Sequence, residues 1–159
     1  MILFDEKNRL FHMTTPHTSY IIGIEKEKYL THLYWGRKLA SIRPDNAYVS
    51  GNMSFSPNPD REDKSYSLDT MPQEYPSACR SDFRGPAYGA EREDGCLAGE
   101  LLYEGYEIVR GKPELSGLPA TYTEEDSEAQ TLFLSCRDRI SGLKVILSFT
   151  VFTGLGAIA

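Results

Sequence analysis

The chain is poor in cysteine. Cys79, Cys96 and Cys136 are odd in number and widely spaced among 159 residues, and no CxxC occurs. This argues against a zinc ribbon or a dithiol redox site, and reduced thiols suit a cytoplasmic protein. Long apolar runs are missing too, so no membrane-spanning helix is expected. The start, MILFDEKNRLF, reaches Asp5, Glu6 and Lys7 before any apolar core of a signal peptide forms, so no secretory signal is visible. The Asn52-Met53-Ser54 acceptor pattern therefore carries no meaning as a glycosylation site. Positive charge is in deficit: 17 Lys+Arg stand against 23 Asp+Glu, for a formal net charge of −6. A phosphate backbone would be repelled on average, so nucleic acid is not an expected partner.

Catalytic signatures are absent as well. His12, His17 and His32 do not pair at metal-ligand spacing, and no metal or cofactor is expected. No GxSxG elbow frames a serine, and GLGAIA near the end lacks the strand-to-helix context of a phosphate loop. No segment shows a convincing helical period.

A period of two is there instead. In GLKVILSFTVF (142–152), Leu143, Val145, Leu147, Phe149 and Val151 share one face, the pattern of a half-buried strand. Leu132, Leu134 and Cys136 share a face of QTLFLSCR, and DRISG supplies a turn, so 130–152 reads as a hairpin. Glu100–Arg110 is a further strand with Gly105 as its bulge. RLFHMTT pairs with SYIIGIE across Pro16–Thr18, and LTHLYWG completes the early set. Glu124–Gln130 reads as a solvated acidic loop. Thirteen glycines and nine prolines punctuate these short strands. The expected fold is all-β, an antiparallel β-sandwich with little or no helix.

Residues 55–88 stand apart, with five prolines (Pro57, Pro59, Pro72, Pro76 and Pro86). Proline lacks an N–H and fixes φ, so neither helix nor central strand runs through. Disordered segments are poor in aromatics, yet this one carries Phe55, Tyr66, Tyr75, Phe83 and Tyr88. Large rings among prolines predict a rigid loop that docks on something.

Its motifs FSPNPD (55–60), SLDTMPQEYP (67–76) and DFRGPAY (82–88), flanked by FDEKNRLFH (4–12), YLTHLYWG (29–36) and GKPELSGLPATY (111–122), resemble the N-terminal domain of family 36 glycoside hydrolases, the bacterial α-galactosidases. The resemblance runs from Met1 to Phe152, and 153–159 read as an atypical tail with a truncation or frame change near Thr153. The resemblance implies a parent that releases terminal α-linked galactose from melibiose- and raffinose-type sugars with retention. It implies a homotetramer, in which this domain supplies interface and a loop at a neighbour's active-site mouth. It also implies a catalytic carboxylate pair on a downstream barrel, which takes at least ~200 residues, so no catalytic residue is expected here.

The resemblance also implies an acidic residue before FSPNP and an arginine after it that approach the sugar. The matching positions, Asn52 and Lys64, depart from that pattern: Asn still accepts a hydroxyl hydrogen bond, and Lys keeps the charge without the planar fork. Trp35, the only tryptophan, is a third rim candidate, since a flat ring can stack on a sugar. Asp69, Glu74, Tyr75, Asp82 and Arg84 would brace the loop, with Arg84 placed to clamp a carboxylate. Asp60 and Asp63 read as turn residues, and Asp69 and Asp82 as acceptors for nearby backbone N–H groups. The alternative is a free-standing carbohydrate-binding or structural module, with Tyr34, Trp35 and Tyr75 as its stacking platform.

Overall fold

The computed structural model describes residues 1–26, 28–43, 51, 55, 58–79, 85–117 and 121–159. Among the described residues, seven strands form two antiparallel sheets. The first is a meander in the order β1 (Ile2–Asp5), β2 (Leu10–Thr14), β3 (Thr18–Glu25) and β4 (Tyr29–Arg37). The second runs β5 (Leu101–Arg110), β6 (Ala129–Asp138) and β7 (Lys144–Phe152). Among the described residues no α-helix occurs. One 3₁₀ turn, Asp126–Glu128, stands where the sequence reads as a loop. The expected β-sandwich is the fold.

Alternation explains the packing. Ile2, Phe11, Met13, Ile22, Ile24 and Leu30 of the first sheet meet Leu132, Leu134, Cys136 and Val151 of the second. Burial in this core pushes the Cys136 thiol up to about 11, so it stays a protonated packing group. β3 is buried on its other face as well, where Ile21 packs with Leu10 and Leu33. Tight turns connect β1 to β2, β2 to β3, β3 to β4 and β6 to β7, and polar side chains shape them. Asp5 accepts hydrogen bonds from Asn8 N and Nδ2 at 3.0 and 2.7 Å, while Arg9 closes that turn with φ +52°.

Two irregularities matter. In β5 the register slips between Tyr103 and Gly105, so the bulge falls where the sequence indicates it, with Glu104 as the extra residue. In the β3–β4 pair, Ile21 faces Tyr34 and Ile22 faces His32, leaving Leu33 unpaired. This second bulge has no marker in the sequence.

Both sheets have their late edge partly paired. Residues 72–74 lie along β4, with His32 N donating to Pro72 O and Glu74 N to Leu30 O at 2.8 and 2.9 Å. Residues 157–159 turn back on β7, where Thr150 and Ala159 exchange N–H···O bonds of 2.7 and 2.9 Å. Such pairing shields backbone groups that an open edge would leave exposed.

Candidate functional site

The proline-rich segment is anchored, as its rings suggest. Tyr66, 1% exposed, enters a second cluster with Tyr29, Leu68, Met71 and Leu102. Lys26 Nζ lies 5.1 Å from the centre of the Tyr66 ring and 2.8 Å from Asp63 Oδ2. Its hydrogen bond is the main cause that holds the Asp63 carboxyl well below the usual range. Asp60 Oδ1 accepts from Glu62 N at 2.9 Å and Asp63 Oδ1 from Ser65 N at 2.9 Å, the local geometry of turn residues. Asp69 is half-buried in the next turn; there its own N–H donates to Ser67 Oγ at 3.1 Å. Tyr75 stacks on Tyr88 at 5.7 Å and 7°, and Ser77 pairs with Tyr88 just beyond.

Glu74 reaches furthest. Its side chain is 7% exposed. Oε1 accepts the Tyr20 hydroxyl hydrogen at 2.5 Å, and Oε2 lies 3.4 Å from His32 Nδ1. His32 Nδ1 is also 3.2 Å from Tyr20 Oη. Burial, and after it the Glu74 hydrogen bond, pushes the Tyr20 phenol far above its ordinary value, so Tyr20 stays protonated and donates. A carboxylate only accepts, and the single Tyr20 proton goes to it. His32 Nδ1 must then donate, so in the neutral form of the ring Nε2 is the lone-pair nitrogen.

These groups border a hollow of about 470 Å³ between the late edges of the two sheets, lined by Tyr20, His32, Trp35, Ser148, Phe149, Ile158 and Ala159. Tyr20 is its hub: its ring centre lies 5.1 Å from His32, 5.4 Å from Trp35 and 5.9 Å from Phe149. Trp35 keeps 52% of its surface exposed. The Leu33 bulge builds this face. His32 and Trp35 are three apart, so plain alternation would set them on opposite sides; the extra residue brings them together, opposite Ile22 and Tyr20.

Not every residue singled out from the sequence meets here. Trp35 and Glu74 do. Lys64 is exposed. Tyr34 turns to the other face of β4, packing against the Leu10, Ile21 and Leu33 cluster, and Tyr75 is occupied by Tyr88. Tyr34, Trp35 and Tyr75 therefore form no single platform. Asn52, Asp82 and Arg84 lie outside the described residues. Sequence reasoning missed that Tyr20, His32 and Phe149 come together; the alternation of SYIIGIE and of GLKVILSFTVF pointed Tyr20 and Phe149 inward without showing that they meet. It also missed Asp138, 3% exposed. Asp138 Oδ1 accepts from Ile140 N and Ser141 N at 2.7 and 3.2 Å, and Oδ2 from Glu100 N at 3.1 Å.

The fold and its strapped loop define a β-sandwich domain in which Asp60, Asp63, Glu74 and Asp138 serve turns and anchoring. The model described as glycosyl hydrolase family 36 N-terminal domain matches residues 28–159. Alpha-galactosidase AgaA of Geobacillus stearothermophilus is 39% identical over 151 residues, covering 95% of this chain and 21% of the relative. Alpha-galactosidase Mel36A of Lactobacillus acidophilus is 39% identical over 153 residues, covering 96% and 21%. The crystal structure of the family 36 α-galactosidase AgaB from Geobacillus stearothermophilus superposes with a TM-score of 0.90 at 38% identity, over 99% of this chain and 21% of that one. A variant of AgaA from the same organism, solved in complex with raffinose, gives 0.86 at 40% identity, over 94% and 21%. The chain belongs to glycosyl hydrolase family 36 and corresponds to its N-terminal domain. It spans about a fifth of the length of the relatives it matches.

Proposed function

We propose that this chain is the non-catalytic N-terminal portion of an α-galactosidase. The full-length parent hydrolyses terminal α-linked galactose from melibiose- and raffinose-type sugars with retention. The chain contributes oligomer interface and a loop near the substrate. The observation that carries this reading is the coverage: likeness over 99% of this chain falls on 21% of AgaB. Relatives of AgaA type solved with raffinose and stachyose support the substrate class. Retaining hydrolysis needs two carboxylates about 5–5.5 Å apart across the bond. Four of the acids are otherwise engaged: Asp60 and Asp63 in turns, Glu74 on Tyr20, Asp138 on three backbone N–H groups. Three free thiols fit a cytoplasmic setting.

The purified chain, assayed on a chromogenic α-galactoside, is expected to show no turnover above a mock preparation. Clear turnover would refute the non-catalytic role. Light scattering tests the interface role, for which a stable symmetric oligomer is expected. One feature favours a second reading, a structural or carbohydrate-binding module: Trp35 stays half-exposed beside an aromatic hollow. A soluble monomer with a sharp cooperative melt would support that alternative.

A further inference from the structure

We propose that the hollow bounded by Trp35, Tyr20, His32 and Phe149 is a contact site for a neutral hexopyranoside. The inference deepens the carbohydrate reading above by naming a place and its groups, and it requires no hydrolysis.

The hollow's volume, about 470 Å³, falls in the ~300–1,000 Å³ range of small-molecule sites. Its walls are aromatic, and the half-exposed Trp35 ring offers a flat apolar face. A pyranose has a matching apolar face of C–H groups and a rim of hydroxyls. The polar complement is specific. His32 Nε2 has no hydrogen-bond partner among the described residues, and the Nδ1 hydrogen bond to Tyr20 Oη makes it the acceptor of the neutral ring. It suits a hydroxyl donor. Ser148, exposed at the opposite wall, offers a hydroxyl that both donates and accepts. No Lys or Arg lines the hollow, so it offers no cationic cluster for a phosphate or a carboxylate ligand.

The site is built rather than incidental. Glu74 is a buried carboxylate whose Oε1 fixes the Tyr20 hydroxyl, and Oε2 has no hydrogen-bond partner of its own. Its 3.4 Å approach to Nδ1 favours the proton there. A strand bulge at Leu33 sets His32 and Trp35 on one face, a use of bulges to re-aim side chains. Glu74 is thus a positioning residue, while Trp35 and His32 touch the sugar.

Titration calorimetry and saturation-transfer NMR of the 159-residue chain with methyl α-galactopyranoside test this. A Kd on the order of 1 mM is expected for so small a ligand. Trp35→Ala and His32→Phe are each expected to weaken binding about tenfold or more, while Tyr34→Phe, on the opposite face, leaves it within about twofold. Histidine ¹⁵N shifts near neutral pH should place the His32 proton on Nδ1, and Glu74→Gln should redistribute it. No binding up to about 100 mM, binding unchanged in both Trp35→Ala and His32→Phe, or a proton on Nε2 overturns the proposal. A failed titration leaves the parent-enzyme reading intact, and turnover by the chain leaves this site intact, so the two fail separately.

Discussion

Tyr66→Ala tests whether the proline-rich segment is part of the folded unit or merely lies on it. Tyr66 is 1% exposed and packs on Tyr29, Leu68, Met71 and Leu102, with the Lys26 ammonium over its ring. Truncating a buried aromatic ring costs ~3–5 kcal/mol through lost transfer energy and the cavity left behind. This cluster lies under a loop and relaxes more easily than the main core, which favours the low end, ~3 kcal/mol. For a chain of this length each kcal/mol moves Tm by ~2–4 °C, so a drop of about 6–12 °C is expected. Tyr66→Phe keeps the ring and should cost under ~1 kcal/mol. Thermal melts followed by circular dichroism measure the shift. Limited trypsin digestion adds a local reading: cleavage after Arg61 and Lys64 should speed up in Tyr66→Ala and hardly change in Tyr66→Phe. A Tyr66→Ala melt within about 2 °C of the parent, with unchanged cleavage, would show that the ring's burial adds nothing to folding.

Two further substitutions bear on titrating groups. For Asp138, burial alone would raise the pKa, but the N–H groups of Ile140, Glu100 and Ser141 together outweigh it and hold the carboxyl below its ordinary value. The depressed folded value means stability present above the unfolded pKa of ~3.9 is lost as pH falls through the folded value. Asp138→Asn should therefore cost about 2–3 kcal/mol at neutral pH and flatten the acid limb of a urea-midpoint profile; an unchanged midpoint counts against this anchor. His12 is buried with Nε2 2.8 Å from Ser19 Oγ, and burial, then the Lys38 charge, lowers its pKa. Its folded form prefers to stay neutral, so stability should decline as pH drops below ~6.5 toward the folded value. His12→Gln should remove that slope, and a slope that persists assigns it to another group.

The sandwich was legible because its strands bury one face and so must alternate. Leu132, Leu134 and Cys136 on β6, with Leu147, Phe149 and Val151 on β7, show the period directly, and all six pack in the main core. The docking of the proline stretch was legible from Tyr66, since a ring of that size among prolines needs a partner. The candidate site was not. Tyr34 and Trp35 look equivalent in LYWG, yet one packs on the outer cluster and the other borders the hollow. The Glu74–Tyr20 hydrogen bond spans 54 positions, and no local pattern encodes such a pairing. The 3₁₀ turn at Asp126–Glu128 has no buried residue and no side-chain cap, so neither periodicity nor a cap announced it.

The Leu33 bulge is the feature on which the site depends, and a glycine permits it. A leucine inside a strand looks like any other core residue, so the extra position leaves no mark in the sequence. Its partner does. Gly23 sits across from Thr31 on β3, and a Cβ there would come within 2.8 Å of Leu33 Cδ1 and 2.9 Å of Thr31 Oγ1. A Cβ at position 23 therefore obliges the ends of these side chains to shift, and Gly23's own φ is not in the left-handed region. Gly23→Ala must push Leu33 aside, an overpacking cost of ~1–3 kcal/mol. If Leu33 yields by moving the bulge, the residues between the old and new positions change faces, because the side-chain period is two. His32 would then leave Trp35 and the hollow would lose its acceptor. The expected signature is a lowered melt together with an altered Trp35 emission, since this is the chain's only tryptophan. A double variant, Gly23→Ala with Leu33→Ala, frees the space and should recover both. Recovery of stability without recovery of the Trp35 emission would show that the bulge does not position the ring.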